Sequence, residues 1–135
     1  MPGFTVAPAF RWVLTLAVTA LIVVLSITPG EGKAGDSVFV WLVVNTPAPV
    51  QKLMHVACYA TVAALWAWAL EAIGAQALRI VLALVIAVAL GAVLEWYQVS
   101  IPGRFGTLTD VLLDTLGAVL GLLVALLLFS HDRFS

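Results

Sequence analysis

Long apolar runs alternate with short breaks rich in glycine, proline and polar residues. A bilayer core of ~30 Å calls for about 20 consecutive, mainly apolar residues in a crossing helix. Four runs meet that length, at about residues 10–28, 50–73, 77–100 and 108–129. Pro29-Gly30 follows the first run and Ile101-Pro102-Gly103 follows the third. Both breaks fall where a helix should stop, because proline lacks a backbone donor and glycine favours turns. The pattern predicts an all-α, polytopic integral membrane protein, a bundle of four transmembrane helices. The short links after the second and third runs predict antiparallel neighbours.

The link between the first two runs is longer, about residues 29–49, and holds an apolar stretch at 38–44, VFVWLVV. That stretch is too short to span, so it reads as an interfacial or partly re-entrant segment, with a buried strand-like piece as the alternative. The first run is expected to be retained. A cleaved signal peptide is the competing reading, since Arg11 precedes the apolar stretch, but no A-x-A-like site follows it and the run is long for such a peptide.

Polar residues inside these runs carry the chemical information. A carboxylate near the middle of a membrane helix costs ~3 kcal/mol on insertion scales, so ionisable residues there are rare and usually functional. At ~100° per residue, Lys52, His55 and Tyr59 fall within one arc of the second helix. Gly91, Glu95 and Gln98 share an arc of the third, and Asp110, Asp114, Gly117 and Gly121 share one of the fourth. In an antiparallel arrangement the start of the second helix, the end of the third and the start of the fourth meet at one membrane surface. Arg104, in the last link, joins them there. Glu95 lies about five residues inside its helix end, or ~7 Å deep. The expectation is one polar pocket open to one side of the membrane, built from Lys52, His55, Tyr59, Glu95, Gln98, Arg104, Asp110 and Asp114. Ser26 and Thr28 are the first helix's contribution at that end. The G-x-x-x-G pair Gly117 and Gly121 is expected to pack the fourth helix against the second or third, with dimerisation as the alternative.

Within that pocket, Glu95, His55 and Asp110 are the candidate catalytic groups: an acid or base whose burial moves its titration towards the working range, a proton shuttle, and an orienting acid. Lys52, Tyr59, Gln98, Arg104 and Asp114 are the candidate substrate contacts, with Arg104's planar fork suited to a phosphate or carboxylate. Each has a plainer reading. Glu95 could be a structural ion-pair partner of Lys52, His55 or Arg104, Arg104 and Lys52 could meet headgroups, and His55 could be a packing residue. Tyr59 could place its hydroxyl on Glu95 or His55, and Asp110 could cap its helix. At the opposite surface, Glu71 and Arg79 read as ordinary surface charge, and His131 and Asp132 as solvated tail residues.

Composition agrees with the pattern. The 135 residues are 64% hydrophobic and 10% charged, well above the roughly half-apolar make-up of soluble domains. A formal net charge of -1 gives no basic surface for nucleic acid. The one cysteine, Cys58, excludes an intrachain disulfide. Without H-E-x-x-H, zinc-type spacing or G-x-S-x-G, spacing names no metal ligand and no serine nucleophile, and any cofactor stays unassigned. Arg11, Arg79 and Arg133 oppose Lys33, Lys52 and Arg104 across the predicted membrane, a tie by count. Discounting Lys52 and Arg104 as pocket residues leaves the terminal side more basic, so both termini are expected in the cytoplasm.

The same residues resemble a known family. Lys52-x-x-His55-x-x-x-Tyr59 is similar to the K-x-x-H-x-x-x-Y block of VanZ-like membrane proteins. Glu95-x-x-Gln98 followed by Pro102-Gly103-Arg104 resembles their E-x-x-Q and P-G-R, and Asp110 with Gly117 and Gly121 resembles the start of their last helix. One departure is Asp114, where that family usually carries asparagine; the extra acid favours a protonated Asp114 or a bound cation. The resemblance implies a single VanZ-like domain over residues 1–135, in the inner membrane of a bacterium. The family's namesake is associated with resistance to the lipoglycopeptide teicoplanin. The expected partner is a membrane lipid or an anionic lipid-linked envelope precursor. A non-enzymatic interaction protein and a small oligomeric transporter are the alternatives.

Overall fold

A computed structural model describes residues 6–33 and 35–131. Asp132 and Arg133, and the side chain of His131, lie outside the described residues. Among those described, the chain forms only helices: α1 (Pro8–Ile27), α2 (Val38–Asn45), α3 (Ala48–Ala69) with a 3₁₀ turn at Leu70–Ala72, α4 (Gln76–Gln98) and α5 (Leu108–His131). Four segments are long and apolar enough to cross a membrane: Pro8–Ile27, Ala48–Ala72, Gln76–Gln98 and Leu108–Leu128. They match the four predicted runs to within a few residues. α3 starts earlier than expected because Pro49 sits in its first turn, where the missing N–H has no helical partner to lose.

The segment at 38–44 is a short α-helix, not a strand. Ser37 caps it, its Oγ accepting the Val40 N–H at 3.4 Å, and none of its residues is buried. Gln51 fastens its end to α3, Nε2 donating to the carbonyls of Thr46 (2.8 Å) and Val43 (3.3 Å).

α3 is the hub of the bundle, with its widest interface on α5 and further ones on α4 and α1. The core is built largely of small residues: Ala63, Ala67, Ala83, Ala87 and Ala118 are fully buried. Large side chains such as Leu53, Val81, Val85, Leu112 and Leu127 face outward and are at least half exposed. This inversion suits lipid, where apolar side chains gain nothing by leaving the surroundings and close backbone approach holds helices together. Gly117 and Gly121 make the closest approach. A Cβ on either would overlap the backbone carbonyl of Val56 or Ala60 on α3. The G-x-x-x-G pair therefore packs α5 onto α3 within one chain.

The two glycine-proline breaks meet. Gly30 donates its N–H to the Pro102 carbonyl at 3.0 Å, and Gly103 takes a φ of 72°, the left-handed region open to glycine. The end of α1 is thereby fixed beside the α4–α5 link. At the other end of the bundle Arg11 pairs with Glu71 and stands 5.2 Å from the Trp68 ring centre. Arg79, expected to be ordinary surface charge, is buried.

Candidate functional site

The three polar arcs face one another. His55 on α3 brings Nδ1 to 2.7 Å from Asp114 Oδ1 on α5 and to 3.8 Å from Glu95 Oε1 on α4. Side-chain exposures of 22% for His55, 5% for Glu95 and 1% for Asp114 separate their roles. The histidine looks outward, and the two acids lie behind it. The 2.7 Å contact has the length of a charge-assisted bond. Glu95 is held from its other side by the Thr107 N–H, donated to Oε2 at 3.1 Å. Gly91 makes room for this arrangement, because a Cβ there would stand 3.1 Å from the Asp114 Cβ and 3.2 Å from Tyr59 Cε1. Tyr59 is buried against it. Its hydroxyl has no hydrogen bond to Glu95 or His55 among the described residues, contrary to the sequence expectation. One turn farther from the pocket mouth than His55, it fills the interface instead.

Arg104 and Gln98 are committed to the end of α1. Arg104 donates from Nε to the Thr28 carbonyl at 3.0 Å and from its Nη2 to those of Leu25 (2.5 Å) and Ser26 (3.4 Å). Gln98 Nε2 adds a bond to Ser26 at 3.1 Å. Those carbonyls belong to the last turn and its cap, where helical donors run out, although Leu25's also accepts the Thr28 N–H at 3.4 Å, and a cation there is favoured by the helix dipole. One face of the guanidinium fork expected to grip an anion is thus occupied by backbone. Burial lowers the Arg104 pKa from its ordinary value, and the charge of Glu95 opposes that shift. Arginine starts high enough to stay charged.

Asp110 does not cap α5 itself. Thr107 is the capping residue: its Oγ1 accepts the Asp110 N–H at 3.1 Å and donates to Asp110 Oδ2 at 2.6 Å. In a capping box the acid would also take the Thr107 N–H; here that N–H goes to Glu95 and Asp110 takes the hydroxyl instead. Lys52 is exposed and has no ion pair among the described residues.

Two adjoining cavities open onto these groups. One, of about 260 Å³, lies between α1, α2 and α3 and is mainly apolar, lined by Ile22, Leu25, Leu42, Val50, Met54 and Cys58 among others. The second, of about 250 Å³, is more polar and bounded by Lys52, Asp110, Gly30, Gly103 and Phe105. Val43, Gln51, His55, Gln98 and Arg104 line both. Of the predicted pocket residues, His55, Glu95 and Asp114 form one cluster. Gln98 and Arg104 form the wall towards α1, Lys52 and Asp110 edge the polar cavity, and Tyr59 lines the apolar one.

Sequence reasoning missed Thr107 and Gln51. The T-x-x-D spacing of Thr107 and Asp110 was a readable signal for the first. Gln51 had none, because its partners are backbone carbonyls.

A family model described as VanZ/LLP1 matches residues 10–129. No curated protein and no solved structure matches the chain.

Proposed function

The chain belongs to the VanZ/LLP1 family, and we propose that it binds an anionic, single-chain amphiphile of the bacterial envelope at one face of the membrane. The observation that carries this is the pair of cavities joined through His55, Gln51, Gln98 and Arg104, one apolar and one polar. An amphiphile is the ligand class with one end for each. The acyl or prenyl chain enters the apolar cavity beside Met54 and Leu42. The phosphate or carboxylate head sits in the polar one, where Lys52 has no ion pair among the described residues and Arg104 contributes the edge not held by α1. Asp110, across the same cavity, favours a head that also carries a donor, such as a sugar hydroxyl or an amine.

Beneath the head lies His55. Its Nδ1 is taken by Asp114, which leaves Nε2 for proton exchange with a bound ligand, with Glu95 as the second acid of the relay. In this reading His55 meets the ligand, Asp114 orients it, and Glu95 tunes its charge. Withdrawing or altering an anionic envelope lipid changes what a lipoglycopeptide antibiotic meets at the membrane surface. That is how such a site would connect to the family's association with teicoplanin resistance. With both termini in the cytoplasm, the pocket opens on the outer face, where those antibiotics act.

The test is native mass spectrometry of the protein in mild detergent, beside Lys52→Gln. Wild type is expected to carry a co-purifying anionic amphiphile that persists through delipidation and is lost from Lys52→Gln. If both proteins carry the same bulk lipids, the reading fails. A non-enzymatic docking role is favoured by one separate observation: the outward residues of α2, with Val38 64% and Trp41 61% exposed. It predicts that function survives Lys52→Gln and is lost when Trp41 is replaced.

A further inference from the structure

We propose that His55, Glu95 and Asp114 form a binding site for one first-row divalent metal ion, Zn²⁺ or Mn²⁺. One ligand atom from each of the three residues lies within 4.8 Å of the others. Ideal tetrahedral ligation with bonds of about 2.1 Å would set those atoms roughly 3.4 Å apart. The observed 2.7 Å and 3.8 Å separations from His55 Nδ1 straddle that value and the Glu95–Asp114 separation is within 4.8 Å, so side-chain adjustments of up to about 1.5 Å close the set around an ion.

A second observation points to a ligand. Asp114 is 1% exposed, yet its Oδ2 has no hydrogen-bond partner among the described residues. The carboxylate that closes the cluster therefore carries an oxygen that faces Gly91, 2.8 Å from where a Cβ there would stand, and has no protein donor among the described residues, an arrangement that native proteins normally avoid. A divalent ion takes both of its oxygens or draws the carboxylate round, and it also neutralises two acids set inside membrane-crossing helices. Three helices supply one ligand each, so the ion would tie α3, α4 and α5 together at one level.

The donor set selects the ion. One imidazole nitrogen with two carboxylates suits Zn²⁺ or Mn²⁺, whereas Ca²⁺ asks for six to eight oxygens. His55 is the one ligand that lines both cavities, so an ion would enter from them past the imidazole. The three ligands lie 40 and 19 residues apart and no local spacing joins them, so the sequence gathers them only as members of a wider polar pocket.

The inference adds to the amphiphile reading without resting on it. Finding the same bulk lipids on wild type and Lys52→Gln leaves the metal test untouched, and the converse holds too. The full chain, purified in detergent without a histidine tag, is stripped with EDTA and dialysed against Zn²⁺ or Mn²⁺ alone. Wild type is expected to retain one ion per chain. Asp114→Asn and His55→Gln are expected to lose at least tenfold in affinity, since even supporting residues around a metal cost 10–100-fold when changed. Glu31→Gln, an exposed acid outside both cavities, is expected to retain the ion. Substoichiometric retention by wild type, or equal retention in the His55 and Asp114 variants, overturns the proposal and leaves a proton-bridged His55–Asp114 pair. Should those variants fail to fold, pulsed electron paramagnetic resonance of Mn²⁺ on a His131→Gln background decides the matter alone. Coupling to a directly bound imidazole nitrogen supports the site, and its absence refutes it.

Discussion

Replacing Gly117 by alanine tests the packing on which the polar cluster depends. The added Cβ would overlap the Val56 carbonyl, with the carbonyl carbon 2.9 Å away. A side chain could rotate clear of such an approach, but a backbone carbonyl moves only with α3. Overpacking of this kind costs about 1–3 kcal/mol, and the rigid partner argues for the upper half of that range. Alanine recovers up to about 1 kcal/mol of helix propensity over glycine. The balance is a net loss of about 1–2 kcal/mol. Gly121→Ala, against the Ala60 carbonyl one turn on, should cost a similar amount. The two sites share one interface, and the retreat forced by the first makes part of the room for the second. The double variant should therefore lose less than the sum, which a double-mutant cycle reads directly. Gly117 is one turn from Asp114, and Val56 adjoins His55, so a retreat of about 1 Å would stretch the 2.7 Å His55–Asp114 contact beyond hydrogen-bonding length. Unfolding titrations in mixed micelles give the energies, and the His55 ring signals in NMR report the contact. If Gly117→Ala is as stable as wild type within about 0.5 kcal/mol and the His55 signals do not move, the helix contact is not what holds the cluster. A G-x-x-x-G acting between copies would instead leave the chain's own stability intact and lower its oligomeric state.

Two further variants probe the neighbouring elements. Thr107→Ala removes the α5 cap and should cost about 1 kcal/mol in the same titrations, while the backbone N–H to Glu95 remains; a change below a few tenths of that would refute the capping role. Arg104→Lys keeps the charge but reaches one carbonyl where the guanidinium serves three, and with charged hydrogen bonds worth ~1.5–3 kcal/mol each a net loss of about 2 kcal/mol is expected after allowing for water at the helix end. Hydrogen exchange should localise that loss to the end of α1. Unchanged protection there would mean the three carbonyls are satisfied without Arg104.

The spans were legible because membrane helices are specified by a single coarse property, sustained apolarity, and the breaks at Pro29-Gly30 and Pro102-Gly103 bounded two of them sharply. The cluster of His55, Glu95 and Asp114 was legible in outline because helical periodicity gathered each residue onto a polar arc and antiparallel order brought the arcs to one level. Periodicity gives no distances across helices, so it could not tell that His55 would take Asp114 as its close partner and leave Glu95 farther off. Arg104 was read for its charge, whereas its partners are the carbonyls of Leu25, Ser26 and Thr28. Every residue owns a carbonyl, so nothing in the sequence marks these three. The helicity of α2 was hidden for a related reason: eight residues give too short a record to separate a helical from an extended period. Tyr59 shows the remaining limit, since a shared arc places a residue near a cluster without deciding whether its polar end or its ring meets it.

The first span is joined to the others by Ile22 in the core, by the Trp12–Trp66 ring contact and by polar contacts. Arg104 and Gln98 hold its end, Thr15 Oγ1 donates to the Leu65 carbonyl at 3.2 Å, and Trp66 Nε1 donates to Thr19 at 3.3 Å. The partners that hold that end, Gln98 and Arg104, are synthesised some 70 residues after it. During biogenesis α1 enters the bilayer as an independent helix and waits there, because leaving lipid for a neighbour brings no hydrophobic gain. It can dock fully only when the α4–α5 link emerges. The order of translation therefore keeps the cavity between α1 and α3 from closing before α4 and the link after it have emerged.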